Sequence, residues 1–447
     1  MDPGPSCLIA GSSNTTLQVG RSLGRAGIEV YYLCHGGPGD QVRKGAGPGN
    51  GNNGLEGIKD SIRALQVSRY TSGIHIHDGE ESYPDTIWKV NEELGSPVII
   101  LTGDDFLLRH VKHWEELSGL GLKTTLPSRE TLMDALDKLR LARAAQSSSV
   151  PVPGTRPLDQ KHQNTPDQLK LPVIIKPRTS AGSFTRLGAK GFICRSPGEI
   201  ADIARWAHSL SEPMIIQEYI PGPTKNLWKY NAIMDKKHRP VSEFCFQKIA
   251  QYPPGAGVAC ISRSAHRQDL VKTAREMLGQ MGWVGAVNIE FKEDPGDGVL
   301  KLIEINPRPY LGIGQPAALG VNLPLALYEL GTGTTTGSTH RSPHSSQPQY
   351  PDDHYYINPL LLASLLKIEV KRSPRETPGI LRHLLHRNMD LDVWAFDDPE
   401  PFYIYAGKRA KAMVRRTRDM KTKKITGTHT RQLSAALTNI ITGWNRR

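Results

Sequence analysis

Two short runs in the 447-residue chain carry oxygen ligands and a guanidinium in an order that suits a metal-bound triphosphate. They are Val287-Asn288-Ile289-Glu290-Phe291 and Leu302-Ile303-Glu304-Ile305-Asn306-Pro307-Arg308. Successive side chains of a strand point to opposite faces. Period two therefore predicts that Val287, Ile289 and Phe291 bury while Asn288 and Glu290 face out, and that Ile303 and Ile305 bury while Glu304 and Asn306 face out. Residues 292–298 are rich in Asp, Gly and Pro and read as a turn, so the two runs form a hairpin with Glu290 beside Glu304. Magnesium takes one or two carboxylates together with waters and substrate phosphates, a ligand set this hairpin offers. On these residues alone, an amphipathic hairpin with a solvated acidic face is the competing reading.

Other elements must hold that hairpin against a ligand. Residues 7–10 are a buried-strand run, followed by the loop Gly11-Ser12-Ser13-Asn14, a helical pattern through Leu17, Val19, Leu23 and Ala26 that stops at Gly27, and a second strand over 28–33. This is the start of a parallel α/β unit. The loop lacks full GxGxxG spacing and no acidic residue ends the second strand, which argues against a nicotinamide cofactor. Residues 97–101 form another buried strand, with Thr102-Gly103-Asp104-Asp105 at its C-terminal end, where open α/β sheets bind ligands. Helical spacing runs over 132–145. Strands are expected over 171–177, 191–195 and 214–220, and between the first two lies Arg178-Thr179-Ser180-Ala181-Gly182-Ser183, whose backbone amides can cover phosphates without side-chain obstruction.

Length favours two or three domains. The absence of a long apolar run and of a basic-then-apolar leader pattern leads to the expectation of a cytoplasmic protein. The five cysteines form no CxxC pair and read as reduced thiols rather than a disulfide framework or zinc site. Of the net charge of +12, eleven units lie in the tail from Lys408 to Arg447, which holds twelve Lys or Arg and one acid, Asp419. That tail is either solvated or a contact for an anionic surface, and its Leu433, Leu437, Ile440, Ile441 and Trp444 share a helical face that allows peripheral membrane contact. No specific nucleic-acid partner is expected. Residues 36–57 read as a disordered insertion and 331–353 as a low-complexity linker.

Placed in order, Asp137-Lys138, Val173-Ile174-Ile175-Lys176-Pro177 with its small-residue loop, Ile216-Gln217-Glu218-Tyr219-Ile220-Pro221-Gly222, Glu290, and Glu304-Ile305-Asn306-Pro307-Arg308 resemble an ATP-grasp enzyme over roughly residues 6–330. The resemblance implies mixed α/β and α+β architecture: an N-terminal parallel α/β domain over 1–129, an ATP-grasp domain over 130–330 with a small lid at about 145–220, and a C-terminal mixed sheet. The linker and an extension over 354–447 follow. It implies ATP and Mg2+, or Mn2+, as cofactors. Lys138 and Lys176 would reach the phosphates, and Ser180, Gly182 and Ser183 would cover them. Gln217, Glu218, Tyr219 and Ile220 would form the hinge that reads the adenine. Glu290, Glu304 and Asn306 would hold metal, with Arg308, alongside Lys176, as the catalytic cation facing the transferring phosphate.

A finer likeness lies in Gly11-Ser12-Ser13-Asn14, Arg21-Ser22-Leu23-Gly24-Arg25-Ala26-Gly27, Lys248-Ile249-Ala250-Gln251-Tyr252-Pro253-Pro254-Gly255 and Asp397-Asp398-Pro399-Glu400-Pro401. These resemble the ATP-grasp group that includes D-aspartate ligase-like carboxylate-amine ligases. The implied activity joins a small-molecule carboxylate, an amino acid or peptide-like compound, to an amine through an acyl-phosphate. The alternatives are an ATP-dependent carboxylase and a nucleotide-binding regulatory protein without turnover. Oligomeric state does not follow from these residues.

Overall fold

Three sheets position the residues singled out above. The computed structural model describes residues 4–36, 60–77, 83–158, 170–179, 187, 190–255, 257–334, 350–372 and 377–407. Ser180, Gly182 and Ser183, most of the 36–57 insertion, the middle of the 331–353 stretch and the basic tail lie outside the described residues.

The first sheet is parallel throughout, in the order β3-β2-β1-β4-β5, with β1 Cys7–Ala10, β2 Val30–His35, β3 Gly73–His77, β4 Val98–Leu101 and β5 Lys123–Thr124. Every residue of β1 and β4 is buried, as expected for strands covered on both faces. The helix Asn14–Arg25 starts at a capping box: Ser13 Oγ accepts from the Thr16 amide, and Thr16 Oγ1 accepts from the Ser13 amide. It stops where Gly27 takes φ +81°. Strand order reverses between β1 and β4, so the loops after these two strands flank the crevice where such sheets bind ligands. Gly11 sits in the first of them with a Cβ position only 2.2 Å from Thr102 Oγ1, too close for any side chain.

The predicted helix over 132–145 is broken. Arg129–Leu136 and Lys138–Ser147 are separate helices, and Asp137 between them is extended (φ −104°, ψ 111°). Its carboxylate caps the second helix by accepting from the amides of Leu139 (2.9 Å) and Arg140 (3.3 Å), and it pairs with Arg178 Nε at 2.6 Å. An aspartate that satisfies orphan amides of a new helix competes well with continuing the old one. The break makes Lys138 the first residue of a helix beside the cleft.

A four-stranded antiparallel sheet follows, in the order β6-β9-β7-β8, with β6 Thr155–Leu158, β7 Val173–Pro177, β8 Phe192–Cys194 and β9 Met214–Glu218. Its apolar face packs on Ile200, Ile203 and Ala207 of the helix Pro197–Ser209. The third sheet runs β14-β13-β10-β11-β12-β15-β16, from β10 Leu227–Met234, β11 Pro240–Tyr252, β12 Val258–Ser264, β13 Gly285–Glu293, β14 Leu300–Asn306, β15 Tyr355–Ile357 and β16 Met389–Leu391. The helix Gln268–Gln280 covers one face of it, burying Leu270, Ala274, Met277 and Leu278 against Tyr230, Val287, Ile289 and Phe291. On the opposite face Lys229, Lys248, Asn288 and Glu290 line the cleft, while Ile233, Phe244, Phe246 and Ala286 join the core around the first sheet.

The hairpin β13–β14 forms in the expected register, with Asn288 opposite Asn306 and Glu290 opposite Glu304. One part of the alternation fails. Register shifts so that Phe291 pairs with Leu302, leaving Ile303 unpaired in a β-bulge. Leu302 and Ile305 take the core positions, whereas Ile303, expected to bury beside Ile305, turns to line the cleft. The five cysteines are buried and none forms a disulfide. Among the described residues, no helix is long and apolar enough to cross a membrane.

Candidate active site

A cleft of about 470 Å³ opens between the three sheets, within the usual range for small-molecule sites. The strands β10, β11, β13 and β14 supply its floor, the four-stranded sheet one wall, and the loops after β1 and β4 the other. Lys138, Lys176, Gln217, Glu218, Tyr219, Ile220, Glu290, Glu304, Asn306 and Arg308 all line it.

Glu290 is the most tightly held of the group. One carboxylate oxygen accepts from Lys229 Nζ at 2.8 Å and from Lys248 Nζ at 2.9 Å. Burial by itself would raise the pKa of this carboxyl, but the two ammonium groups override it and hold Glu290 well below the ordinary range. Glu304 follows the same logic: burial raises it, Lys229 and more distant lysines lower it, and the net is a fall to about 2. Asn306 Nδ2 donates at 3.1 Å both to Glu304 Oε1 and to Asn288 Oδ1. Asn288 in turn donates to Asn231 and accepts from Lys229 at 3.2 Å. The result is two anionic carboxylates and an amide oxygen on one polar face, braced by a hydrogen-bonded row across β10, β13 and β14. Among the described residues no three His, Cys, Asp or Glu side chains converge as a metal cage. Two carboxylates with an amide suit magnesium that also takes phosphate oxygens, rather than a closed protein site.

The lysines come from separate elements. Lys176 on β7 donates to Gln217 Oε1 at 3.0 Å, and Gln217 is fixed by its own bond to Thr155 Oγ1 at 2.8 Å. Burial lowers the Lys176 pKa, opposed by Glu304 and Glu290. Lys138 is pushed down to about 8, chiefly by burial and against the pull of Glu304. Both stand close to the carboxylates, and two positive charges in the cleft suit incoming phosphate.

Glu218, at the end of β9, lines the cleft and is also tied into the fold. Its Oε2 accepts from the Gly154 amide and its Oε1 from Lys301 Nζ, each at 3.1 Å. Both oxygens are thus engaged within the fold, and Gln217 is likewise a positioning group for Lys176. Lys292 Nζ donates to the Ile220 carbonyl at 2.7 Å and lies 5.3 Å from the centre of the Tyr219 ring. Arg308 reaches across to the first sheet, where it pairs bidentately with Asp104 through Nε and through Nη2 at 3.1 Å.

Sequence reasoning overlooked Lys229. A period-two signal was available, because Trp228-Lys229-Tyr230-Asn231 alternates and places Lys229 and Asn231 on one face of β10. Lys248 holds Glu290 while donating to Gly257 O (3.1 Å) and Gln251 Oε1 (3.3 Å). It thereby ties the 252–257 turn to the site. Gly257 is obligatory there, since a Cβ would lie 2.3 Å from Pro253 O.

A family model described as ATP-grasp in the biosynthetic pathway with Ter operon matches residues 258–350. The chain is similar to D-aspartate ligase of Enterococcus faecium (strain Aus0004), with 24% identity over 268 residues covering 55% of this chain, and the match spans 63% of that protein's length. Among solved structures it is similar to L-amino acid ligase from Bacillus licheniformis (13% identity, TM-score 0.54, 76% of this chain and 77% of that one). It is also similar to the biotin carboxylase domain of Hydrogenobacter thermophilus 2-oxoglutarate carboxylase, crystallised with MgADP, ADP and bicarbonate (15% identity, TM-score 0.58, 79% and 74%). The chain has the ATP-grasp fold, with a parallel N-terminal sheet and a mixed C-terminal sheet.

Proposed function

We propose that this chain is an ATP- and Mg2+-dependent ligase that joins the carboxylate of an amino acid or peptide-like compound to an amine through an acyl-phosphate. The observation that carries the reading is the in-register pair Glu290 and Glu304 with Asn306, facing a cleft into which Lys138 and Lys176 project from two other elements. Magnesium, held by Glu290, Glu304 and Asn306, would draw charge from the triphosphate. Lys138 and Lys176 bind the phosphates, and Arg308 offsets charge as the substrate carboxylate attacks the γ-phosphorus, the bond to the bridging oxygen breaks and ADP leaves. An amine then displaces phosphate from the acyl-phosphate, within a cleft whose walls limit access of water.

The relatives support this reading by name, as a D-aspartate ligase and an L-amino acid ligase. The likeness to a biotin carboxylase domain keeps an ATP-dependent carboxylase as the second reading. Phosphate release from ATP, screened across amino acids and organic acids, tests the proposal. Release that requires both a carboxylate and an amine is expected. Bicarbonate dependence without an amine favours the carboxylase, and nucleotide binding without release under any condition favours a regulatory protein. Glu304→Gln and Asn306→Ala are expected to lose turnover while remaining folded; near wild-type release by either purified variant removes the metal assignment.

A further inference from the structure

The turn after β16 and the helical stretch over 400–407 bring four aromatic rings together at the surface. Trp394 is their centre. Phe396, Phe402 and Tyr403 lie 5.7, 5.2 and 6.1 Å from it between ring centres, each nearly perpendicular to it. Phe402 also packs on the core, whereas Phe396 is 90% exposed and Tyr403 61%. No other large apolar side chain among the described residues is as exposed as Phe396. The base of the cluster is fixed, because Val393 is buried and Asp398 pairs with the buried Arg21. Phe396 and Tyr403 are therefore held in water by a rigid support, an arrangement that marks a contact surface.

The charge beside the cluster points to the partner. Asp397 pairs with Arg25 at 2.7 Å and accepts from Tyr70 Oη at 2.5 Å, while the exposed Arg69 donates to the Asp397 carbonyl. Glu400 is an exposed acid at the start of the helical stretch. Directly after Gly407 the sequence continues with twelve Lys or Arg and one acid over 408–447. One carboxylate cannot balance that excess. Anionic lipid headgroups complement it, and Trp and Tyr are the side chains that favour the depth of the headgroups. The edge-to-face packing on Trp394 leaves no platform of parallel rings on which nucleobases stack, which disfavours single-stranded nucleic acid.

We infer that Trp394, Phe396 and Tyr403 form a docking surface for an anionic lipid bilayer, with the basic segment after Gly407 as its electrostatic half. The helix Asn14–Arg25 joins this surface to the cleft, because Ser13 at its start lines the cleft and Arg25 at its end pairs with Asp397. At 1.5 Å per residue its twelve residues separate the two by about 18 Å. Docking there leaves the cleft open, so lipid attachment and nucleotide binding are independent.

The test uses the full chain, Mg-AMPPNP, and vesicles of phosphatidylcholine alone or with roughly 30% phosphatidylglycerol as the anionic lipid. Co-sedimentation with the anionic vesicles is expected at low salt, with little binding to phosphatidylcholine alone, and it should weaken as salt rises. The double variant Phe396→Ala, Tyr403→Ala should lower the partition coefficient about tenfold or more, as expected for lost burial of aromatic area. Its Tm and Mg-AMPPNP affinity should match the wild type, since both side chains are exposed. Combining Arg415→Gln, Arg416→Gln and Arg418→Gln should weaken binding and flatten its salt dependence. Equal partitioning of the wild type and the aromatic double variant overturns the docking surface and leaves the basic segment as the whole contact. Absence of wild-type sedimentation at low salt also overturns it, as does a double variant of lower Tm, which marks packing residues. Competition between vesicles and Mg-AMPPNP places the lipid at the cleft instead. Phe396-dependent binding of a single-stranded RNA that is tighter than binding to the vesicles replaces the bilayer by nucleic acid.

Discussion

Replacing Glu290 by glutamine should unfold the protein more readily than replacing Glu304, although the two stand side by side. Glu290 Oε2 is the shared counter-ion of Lys229 and Lys248; both lysines are buried, and the Glu290 side chain is 12% exposed. A neutral amide leaves two ammonium groups without compensation. Keeping a buried charge unpaired costs about 3–5 kcal/mol. Escaping that cost by releasing one proton at pH 7, from a group with an ordinary pKa near 10.4, costs roughly 4.6 kcal/mol at about 1.4 kcal/mol per unit. The two routes bracket the same range. Lys248 keeps its bonds to Gly257 O and Gln251 Oε1, and Lys229 keeps Asn288 Oδ1, so the lower end, about 3 kcal/mol, is expected. Trp283, fully buried beneath the sheet, supplies the fluorescence signal for a denaturant titration. The pH dependence carries a second check. In the variant Lys248, whose pKa burial lowers, sits below its value in the unfolded chain, so the native state binds fewer protons and its stability rises with pH. In the wild type the contribution of Glu290 is complete above the unfolded carboxyl pKa and is lost only as pH falls through its depressed folded value, so it does not change between pH 7 and 9. The gap between the two proteins should narrow from pH 7 to pH 9. A loss under about 1 kcal/mol, or a gap that is the same at both pH values, would refute the counter-ion argument. Glu304→Gln should cost less, because the glutamine carbonyl can still accept from Asn306 Nδ2.

Lys176→Ala is expected to weaken Mg-AMPPNP binding by about tenfold or more, and Lys176→Arg by less, since positive charge near phosphate matters more than ammonium shape. Equal affinity of wild type and the alanine variant in calorimetry would remove Lys176 from the phosphate site. Because burial brings Lys138 down to about 8, nucleotide affinity should fall as pH rises through that value, by up to about tenfold per unit. The Lys138→Ala variant should lack this dependence, and a flat wild-type profile from pH 7 to 9.5 would count against the assignment.

The hairpin was legible because two strands with opposite polar and apolar faces, joined by a turn-rich segment, have few other ways to pair. That same logic cannot see a bulge. Ile303-Glu304-Ile305 alternates whether or not Ile303 is paired, and only the register against Phe291 reveals the extra residue. The helix break at Asp137 did leave a mark, a capping residue directly before Lys138, but apolar spacing on both sides concealed it. Lys229, and the pairing of Asp104 with Arg308, were hidden for another reason. Their partners, Glu290 and Arg308, lie 61 and 204 positions away in the chain, and no local pattern reports a contact made only when sheets assemble. Glu218 shows the converse. Its place at the end of a strand was readable, whereas its engagement by Gly154 and Lys301 depends on packing between β6, β9 and β14.

Two of the segments behind the finer family likeness turn out to be halves of one structure. Arg21, 1% exposed, donates through Nε to Asp398 Oδ2 at 2.8 Å and through Nη1 to Val393 O at 2.6 Å, and Arg25 pairs with Asp397. A buried guanidinium is tolerated only with its charge and donors satisfied, so the first helix requires the distant Asp397-Asp398 turn. Between them Asp392, fully buried, accepts from Asn14 Nδ2 (2.8 Å), Gln18 Nε2 (3.1 Å), Tyr356 Oη (2.9 Å) and Asn358 Nδ2 (2.6 Å). These bonds tie β15 and the chain after β16 to the start of the helix that follows Ser13, a cleft residue. The segment after β16 is therefore part of the frame that holds this wall of the cleft in place. That is a physical reason for the Arg21–Gly27 and Asp397–Pro401 motifs to occur together in one chain although neither touches the cleft.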